Sequence, residues 1–455
     1  MSQVIKLRQR ACREEHGFSI VLVLAIGVVF ITLGTILAQL AVSNIAFDLH
    51  EQRSLAAQNI AEAGVNYYMW HLSHNTTDYC DGGPTCSGAG PFGPYVHDYY
   101  DANNTKIGTF TLTITPPPSG STITTVQSVG RVTGLNSSRT ILAQLGIPSF
   151  ASYIFLSNSE LDFSSTATTT GPVHSNVGID FEGANNGPVT AANSTYVSQV
   201  DGNSHNGVWG GGGPQSQWQF PVPAINFNQV TVDLSALSTL AQASGGVYLN
   251  NSGGIGFYLN LKSNGTIDVY KVRSQNSAGI TTTFIRNQAA PTNGIVFSTE
   301  NLWIAGTSWS KRTTIAAAKL PDSPANRRSI NIINNITYAA KDGTDVLGLV
   351  AQQDIFLPQY VPNTMEIDAA LLAQNGSIGY DTSNGGVKTQ FTLYGSLEQN
   401  QNAYGFKVVG CGSYCSGFPT TVYGFDTNLT YAPPPSYPTT GAYQILNWRE
   451  LLSGP

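Results

Sequence analysis

Charge is scarce in this sequence. Charged residues supply only 11% of the 455 positions, and between Phe18 and Phe47 there are none. So little charge is not the texture of an ordinary cytosolic domain. Acids outnumber bases, giving a formal net charge of −6, so the basic surface a nucleic-acid partner needs is missing and no such partner is expected. The hydrophobic fraction, 41%, is too low for a chain that crosses a membrane many times. Proline is absent before Pro84, and only Gly17, Gly27, Gly34 and Gly64 interrupt the helix formers up to Leu72. Beyond it the chain becomes rich in glycine, proline, asparagine and serine.

The charges present are unevenly placed. Lys6, Arg8, Arg10 and Arg13 outweigh Glu14 and Glu15 in the first 17 residues, ahead of the charge-free run. A basic head before an apolar span is the arrangement that keeps the head in the cytoplasm. The run from Phe18 to Phe47 is 30 residues, where about 20 suffice to cross a bilayer. It then turns amphipathic, with Ile45, Leu49, Ala56, Ile60, Ala63 and Tyr67 forming one helical stripe. A single helix over 18–72 is expected, half in the membrane and half packed on something. A cleaved secretory signal fits poorly, since its apolar core is about 7–15 residues. A plain signal anchor fits the hydropathy but leaves the glycine between head and span unexplained.

Five cysteines are an awkward number for an exported chain. Cys12 precedes Gly17, and cleavage there would leave two local pairs, Cys80 with Cys86 and Cys411 with Cys415, each set among Gly, Ser and Pro. Two small-loop disulfides are the expectation; a four-thiolate zinc site or reduced thiols are the alternatives.

The stretch "EEHGFSIVLVLAIG" resembles the leader of type IV prepilins, and "QRSLAAQNIAEAGVNYYMWHL" resembles the helix end of PilX-type minor pilins, with Ala57-Gln58-Asn59-Ile60-Ala61-Glu62-Ala63-Gly64 matching the phrase A-x-x-x-A-E-A-G. The resemblance covers residues 10–72. It implies cleavage by a prepilin peptidase between Gly17 and Phe18, with methylation of the new N-terminus at Phe18. Major pilins carry a glutamate at mature position five that pairs with a neighbouring subunit's terminal amine. Here that position is Leu22. GspK-type minor pseudopilins also lack this acid and sit at a filament tip, so Leu22 argues against a repeating shaft subunit.

Residues 73–107 read as a Gly/Pro-rich loop region holding the first cysteine pair. "KIGTFTLTIT" and the segments from Thr124 to Gly146 alternate apolar and polar residues, as strands of a small antiparallel sheet do. From about residue 150 short strands recur between Asn, Gly, Asp and Ser corners, which suits a parallel β-helix or other solenoid, with a β-sandwich as the alternative. The residues expected at 228–287, a helical piece and then a hairpin, read as an insertion or lid. "GPVHSN", "DVLGLVAQQDIFL", "LYGSLEQN" and the closing "YGFDTNLTYAPPPSYPTTGAYQILNWRE" resemble the uncharacterised β-rich region that follows PilX-like helices.

Chemistry is harder to find. His71 and His74 are spaced i, i+3 but lack further ligands, so a solvated helix end is expected. "DGNSHNG" (201–207) has Asp201 and Asn203 at calcium-loop spacing, but His205 stands where an acid belongs, so a turn is preferred. "WGGGGPQSQW" lacks the strand-and-helix frame of a phosphate loop and reads as a flexible loop. His174 has no nucleophile phrase beside it. Asp162, Asp180 and Glu182 could cluster across adjacent rungs, as paired-carboxylate hydrolysis requires, but acids are few in this region and such chemistry is not expected. Trp209, Trp218, Trp303 and Trp309 are either core or an aromatic contact surface.

The expected architecture is α+β: a leader (1–17), a pilin-like helix (18–72), a small β head (73–149) and a large exported β-rich domain (150–455), most simply a right-handed parallel β-helix. The expected function is a non-enzymatic minor pilin or pilin-like component, at a filament tip or sparsely placed. The alternatives are a pilus-borne adhesin binding a surface or glycan, and a surface-anchored β-helix carbohydrate-active enzyme. Other pilins, the prepilin peptidase, the assembly platform and the inner membrane are the partners implied, and no cofactor is. The chain would pass from the inner membrane, N-terminus in the cytoplasm, to the cell surface.

Overall fold

The computed structural model describes residues 15–451 apart from 84–85, 87–89, 118–120, 135–137, 384–385, 402–404, 410–413 and 442. Helix α1 (Glu15–His74) is unbroken over 60 residues, about 90 Å. Its second half packs through Ala57, Ile60, Ala61, Val65, Tyr68 and Leu72. This face is rotated by about one residue from the expected stripe. Ile45 and Leu49 stay exposed and Ala63 is only half-buried. Close backbone approach decides the rotation. A Cβ on Gly130 would lie 2.1 Å from the Ala57 carbonyl and 2.4 Å from the Ala61 nitrogen, so the small residues of the helix must face the sheet.

That sheet is antiparallel, in the order β1 (Phe92–Tyr100), β2 (Lys106–Thr115), β3 (Thr124–Val132), β4 (Ser138–Gly146) and the C-terminal strand Gln444–Leu451. Alternate residues of β2, β3 and β4 point at α1, among them Phe110, Leu112, Ile114, Val126 and Ile141. Residues 92–100, expected within a loop, form an edge strand instead. Pro94 sits at a register irregularity between Phe92 and Tyr95, a place where an edge tolerates proline. The C-terminal strand returns across some 300 residues to pair with β4, so everything between is inserted into this sheet. The two connecting segments clasp each other: Phe150 N–H donates to the Pro438 carbonyl (3.0 Å), and Thr440 N–H to that of Pro148 (2.9 Å).

The inserted body is built of parallel neighbours. Its longest file runs, in space, Val247–Leu249, Ile295–Ser298, Arg312–Ala317, Val346–Ala351, Thr364–Ala373, Gln390–Gln399, Phe155–Ser157, Val173–Ser175, Val189–Ala191 and Trp218–Gln219. Chain order and spatial order differ. The chain enters mid-file at Phe155, climbs to Trp218, returns through helix α2 (Gln229–Gln242), and restarts at the far end. Its last rung, at Leu397–Gln399, then docks on its first, at Phe155–Ser157. Thr231 of α2 meets Gln374, and Leu240 accepts a hydrogen bond from Asn293 Nδ2 at 2.9 Å. Nine helical residues rise about 14 Å, and three strand spacings also span about 14 Å, so α2 lies along the file.

The seam where last rung meets first is stitched by side-chain amides: Asn176 donates to Asn158 (2.7 Å), Asn158 to Asn400 (2.9 Å), and Asn400 to the Gln374 carbonyl (2.8 Å). A second file stacks Gly256–Leu261, Asn301–Trp309, Ile330–Tyr338, Ile355–Leu357 and Ile378–Tyr380. Long strands serve two neighbours at once. Gln390–Gly395 pairs with Thr420–Phe425, while Leu397–Gln399 pairs with the first rung. The network therefore joins up through strands that turn corners, not through strands lining a barrel. Inward residues of the files form one apolar core, and a second lies between the outer face of the long file and α2.

Candidate functional site

The most exposed apolar surface is the first half of α1. Phe30 and Phe47 are 69% and 70% exposed, and Leu22 is 52% exposed. Among the described residues, none of the most apolar stretch of this helix is buried, and it is long and apolar enough to cross a membrane. Two of its hydroxyls are satisfied within the helix, as suits a lipid-facing one: those of Thr32 and Thr35 donate to the carbonyls of Val29 (2.9 Å) and Thr32 (2.8 Å). Gly27 and Gly34, seven apart on one face, have nothing within 4 Å of where a Cβ would stand. Gly17 and Phe18 lie at the helix start, where the backbone is helical.

Where α1 ends, Asp78 organises the head. It accepts from the N–H groups of Cys80 (2.8 Å) and Gly82 (2.9 Å) and lies 3.1 Å from His71 Nε2. Burial alone would raise its carboxyl, but these bonds outweigh it and hold the group below the usual range. Cys80 and Cys86 are joined in a disulfide, as expected of that pair. Cys411 lies outside the described residues, and with it the expected pairing with Cys415. His74 is bound to the Trp70 carbonyl (2.8 Å), so the two histidines do not converge. Among the described residues no group of three or more His, Cys, Asp or Glu could hold a metal ion.

In the body the acids do come together. Asp162 and Asp180 are register partners on adjacent parallel strands, and Trp209 follows Asp180 on the next. Asp180 is buried; desolvation, then Asp162, Glu182 and Glu160, push its carboxyl up to about 6. Glu160, unsuspected from sequence, is buried nearby and saturated by the Tyr196 hydroxyl (3.1 Å), the Ser198 hydroxyl (2.6 Å) and the Gln199 N–H (2.8 Å). Glu182 accepts from the Gly211 N–H at 3.0 Å. A buried Asp180, and Glu160 and Glu182 each held by hydrogen bonds from distant segments, are poorly placed to flank a polysaccharide bond.

The other motifs resolve into structure. Asp201, Asn203 and His205 bond one another around a hairpin tip, and the His205 ring stacks on Trp209 at 3.6 Å. His174 is a buried strand residue, between Thr190 Oγ1 (2.9 Å) and Asn176 Oδ1 (3.0 Å), its pKa lowered by burial. The glycine run, expected to be a flexible loop, is a bonded rung: Gly212 N–H donates to Phe181 O (2.9 Å) and Gly213 N–H to Gly183 O (3.0 Å). A Cβ on Gly212 would stand 2.3 Å from the Gly183 carbonyl, so glycine is there for contact, not for mobility. Trp303 and Trp309 are buried; Trp209 and Trp218 are half-buried.

The sequence did not announce a cleft of about 400 Å³ on the outer face of the second file. Outward positions on that face stack as Tyr258, Trp303, Asn331, Phe356 and Gly379. Strand alternation places Phe356 outward between Ile355 and Leu357, but its meeting with Gln275 depends on a long hairpin folding across the file.

No family model matches the chain, and no curated protein matches it. Among solved structures, the competence-associated pilin ComZ from Thermus thermophilus aligns with 88% of this chain and 98% of its own, at 14% identity and a TM-score of 0.27. A superposition at that level decides nothing, and the reading rests on the residues described above.

Proposed function

We propose that this chain is a non-enzymatic, minor-pilin-like component of a type IV pilus-like filament. The observation that carries the reading is the division of α1. One half is a bare apolar rod, and the other is clamped by small residues onto an antiparallel sheet. Such a rod needs lipid or other helices to cover it, and the same surface serves both in turn. Gly27 and Gly34, which nothing in the chain itself requires, suit close approach of a neighbouring helix. Cleavage between Gly17 and Phe18 and methylation of Phe18 would prepare the rod for extraction from the inner membrane, and Leu22 favours a tip or sparse position.

We read the body as a right-handed parallel β-solenoid, supported by its files of parallel rungs stepping across the chain, and the whole as a displayed cargo. Its insertion between β4 and the C-terminal strand favours display, because two adjacent strands hold it more stiffly than one linker would. Display of a polar, aromatic-bearing surface is also what an adhesin needs. Co-expression with a prepilin peptidase tests the processing step. The chain should lose its first 17 residues, and Gly17→Glu should block that loss; a chain left at full length would sink the proposal.

A further inference from the structure

We propose that the cleft between the long hairpin and the second file binds a neutral saccharide. The proposal goes beyond the filament reading and rests on it only for placing the body outside the cell. Phe356 forms the floor beside Pro358, half-buried, with its ring held on the outer face of its strand. Asn331 precedes it in the stack, and Tyr380 lines the cleft beside Asp381. The floor is therefore an aromatic ring bordered by an amide, a fit for the apolar face of a pyranose.

The walls carry hydrogen-bonding groups already fixed in place. Gln275 reaches over from the hairpin of Thr266–Asn276 and Gly279–Ala289, where its Oε1 accepts from Trp303 Nε1 at 2.9 Å. That bond leaves the Gln275 amino group to donate. Asn331 Nδ2 is tied to the Leu302 carbonyl at 3.2 Å, which holds the amide at the wall. Asp381, also in the lining, anchors a turn through Ser383 N–H (3.1 Å) and Ser383 Oγ (2.6 Å), and Gln359 Nε2 steadies its other oxygen at 3.2 Å. A carboxylate and two amides lining a cleft with an aromatic floor match a ring of alternating hydroxyls.

The volume lies within the range of about 300–1,000 Å³ usual for small-molecule sites. Charge narrows the class. Among the described residues the lining holds the Asp381 carboxylate and no lysine or arginine, and Lys388 near Tyr380 is tied to the Val361 carbonyl at 2.7 Å, so sulfated, sialylated and uronic-acid sugars would meet repulsion. Neutral hexoses or N-acetylhexosamines meet none.

The test uses the full chain in a phosphocholine detergent, which has no sugar headgroup to compete. It is titrated with chitotetraose, cellotetraose and maltotetraose as neutral probes, and with a hyaluronan tetrasaccharide as the anionic one. Calorimetry reads affinity; tryptophan fluorescence reports on Trp303 through its bond to Gln275. At least one neutral probe should bind and the anionic probe should not. Phe356→Ala should weaken binding by at least about tenfold. Asp381→Asn and Gln275→Ala, which keep the floor intact, should weaken it several-fold, and Tyr431→Ala, outside the cleft, should leave it unchanged. The proposal is overturned if no neutral probe binds, if the anionic probe is preferred, or if all three cleft variants bind as the native chain does. Binding is measured on the purified chain, so its failure leaves the filament reading standing, and failed processing at Gly17 leaves the cleft standing.

Discussion

Glu398 offers the sharpest test of the seam that closes the body. It lies in the last rung of the long file, registered against Leu156 of the first, and is fully buried. The Tyr437 hydroxyl donates to its Oε2 at 2.8 Å. Desolvation pushes its pKa from 4.5 up to about 8, so in the folded chain it is protonated at neutral pH. In the unfolded chain it ionises above 4.5. The group therefore costs nothing below that pH and costs progressively more as pH rises from 4.5 towards 8. Each pH unit in that window is worth about 1.4 kcal/mol, so the cost reaches about 3 kcal/mol at pH 7. Glu398→Gln keeps the shape and the acceptor for Tyr437 and cannot ionise. The variant should match the native chain near pH 4.5 and exceed its stability by about 3 kcal/mol at pH 7, by denaturant unfolding of the full chain in detergent. A difference that stays flat from pH 4.5 to 8 would refute the reasoning, because it would mean that Glu398 meets water in the folded chain and that the seam is not closed.

Other expectations follow from particular contacts. Gly130→Val would drive side-chain atoms into the backbone of α1 at Ala57 and Ala61, and should cost about 3 kcal/mol with earlier proteolysis within the head. Cys80→Ser should cost about 2 kcal/mol by reopening a short loop, seen as a lower melting temperature that reductant reproduces in the native chain. Truncation after Pro438 should remove the strand that covers β4, together with the Arg139–Glu450 ion pair at 3.0 Å, and should unfold the head while leaving the body's parallel strands in place. Spectra unchanged by that truncation would show that the C-terminal strand is dispensable to the head.

The parts of this protein most legible in its sequence are those set by local periodicity. The charge-free run announced α1, alternation announced β2, β3 and β4, and Asn-rich corners announced short recurrent strands. What escaped was decided by contact between distant segments. The packing face of α1 was misplaced by about one residue because Gly130, some 70 positions away, decides which small residues face the sheet. Residues 92–100 were hidden by prolines that an edge strand accepts at an irregularity. The glycine run at 210–213 looks loose in sequence and is tight in space. No local signal tells that Gln444–Leu451 returns to β4, or that the body starts in mid-file. The cleft has the same origin: Gln275, Phe356 and Asp381 lie on three separate segments, and none carries a motif.

The central claim is that the bare half of α1 is a processed pilin helix. It is tested most directly by the mass of the chain's N-terminus in surface filaments sheared from cells, compared with the membrane fraction. The account expects a chain beginning at N-methylated Phe18 in the filaments. An intact Met1 start, confined to the membrane, would contradict it.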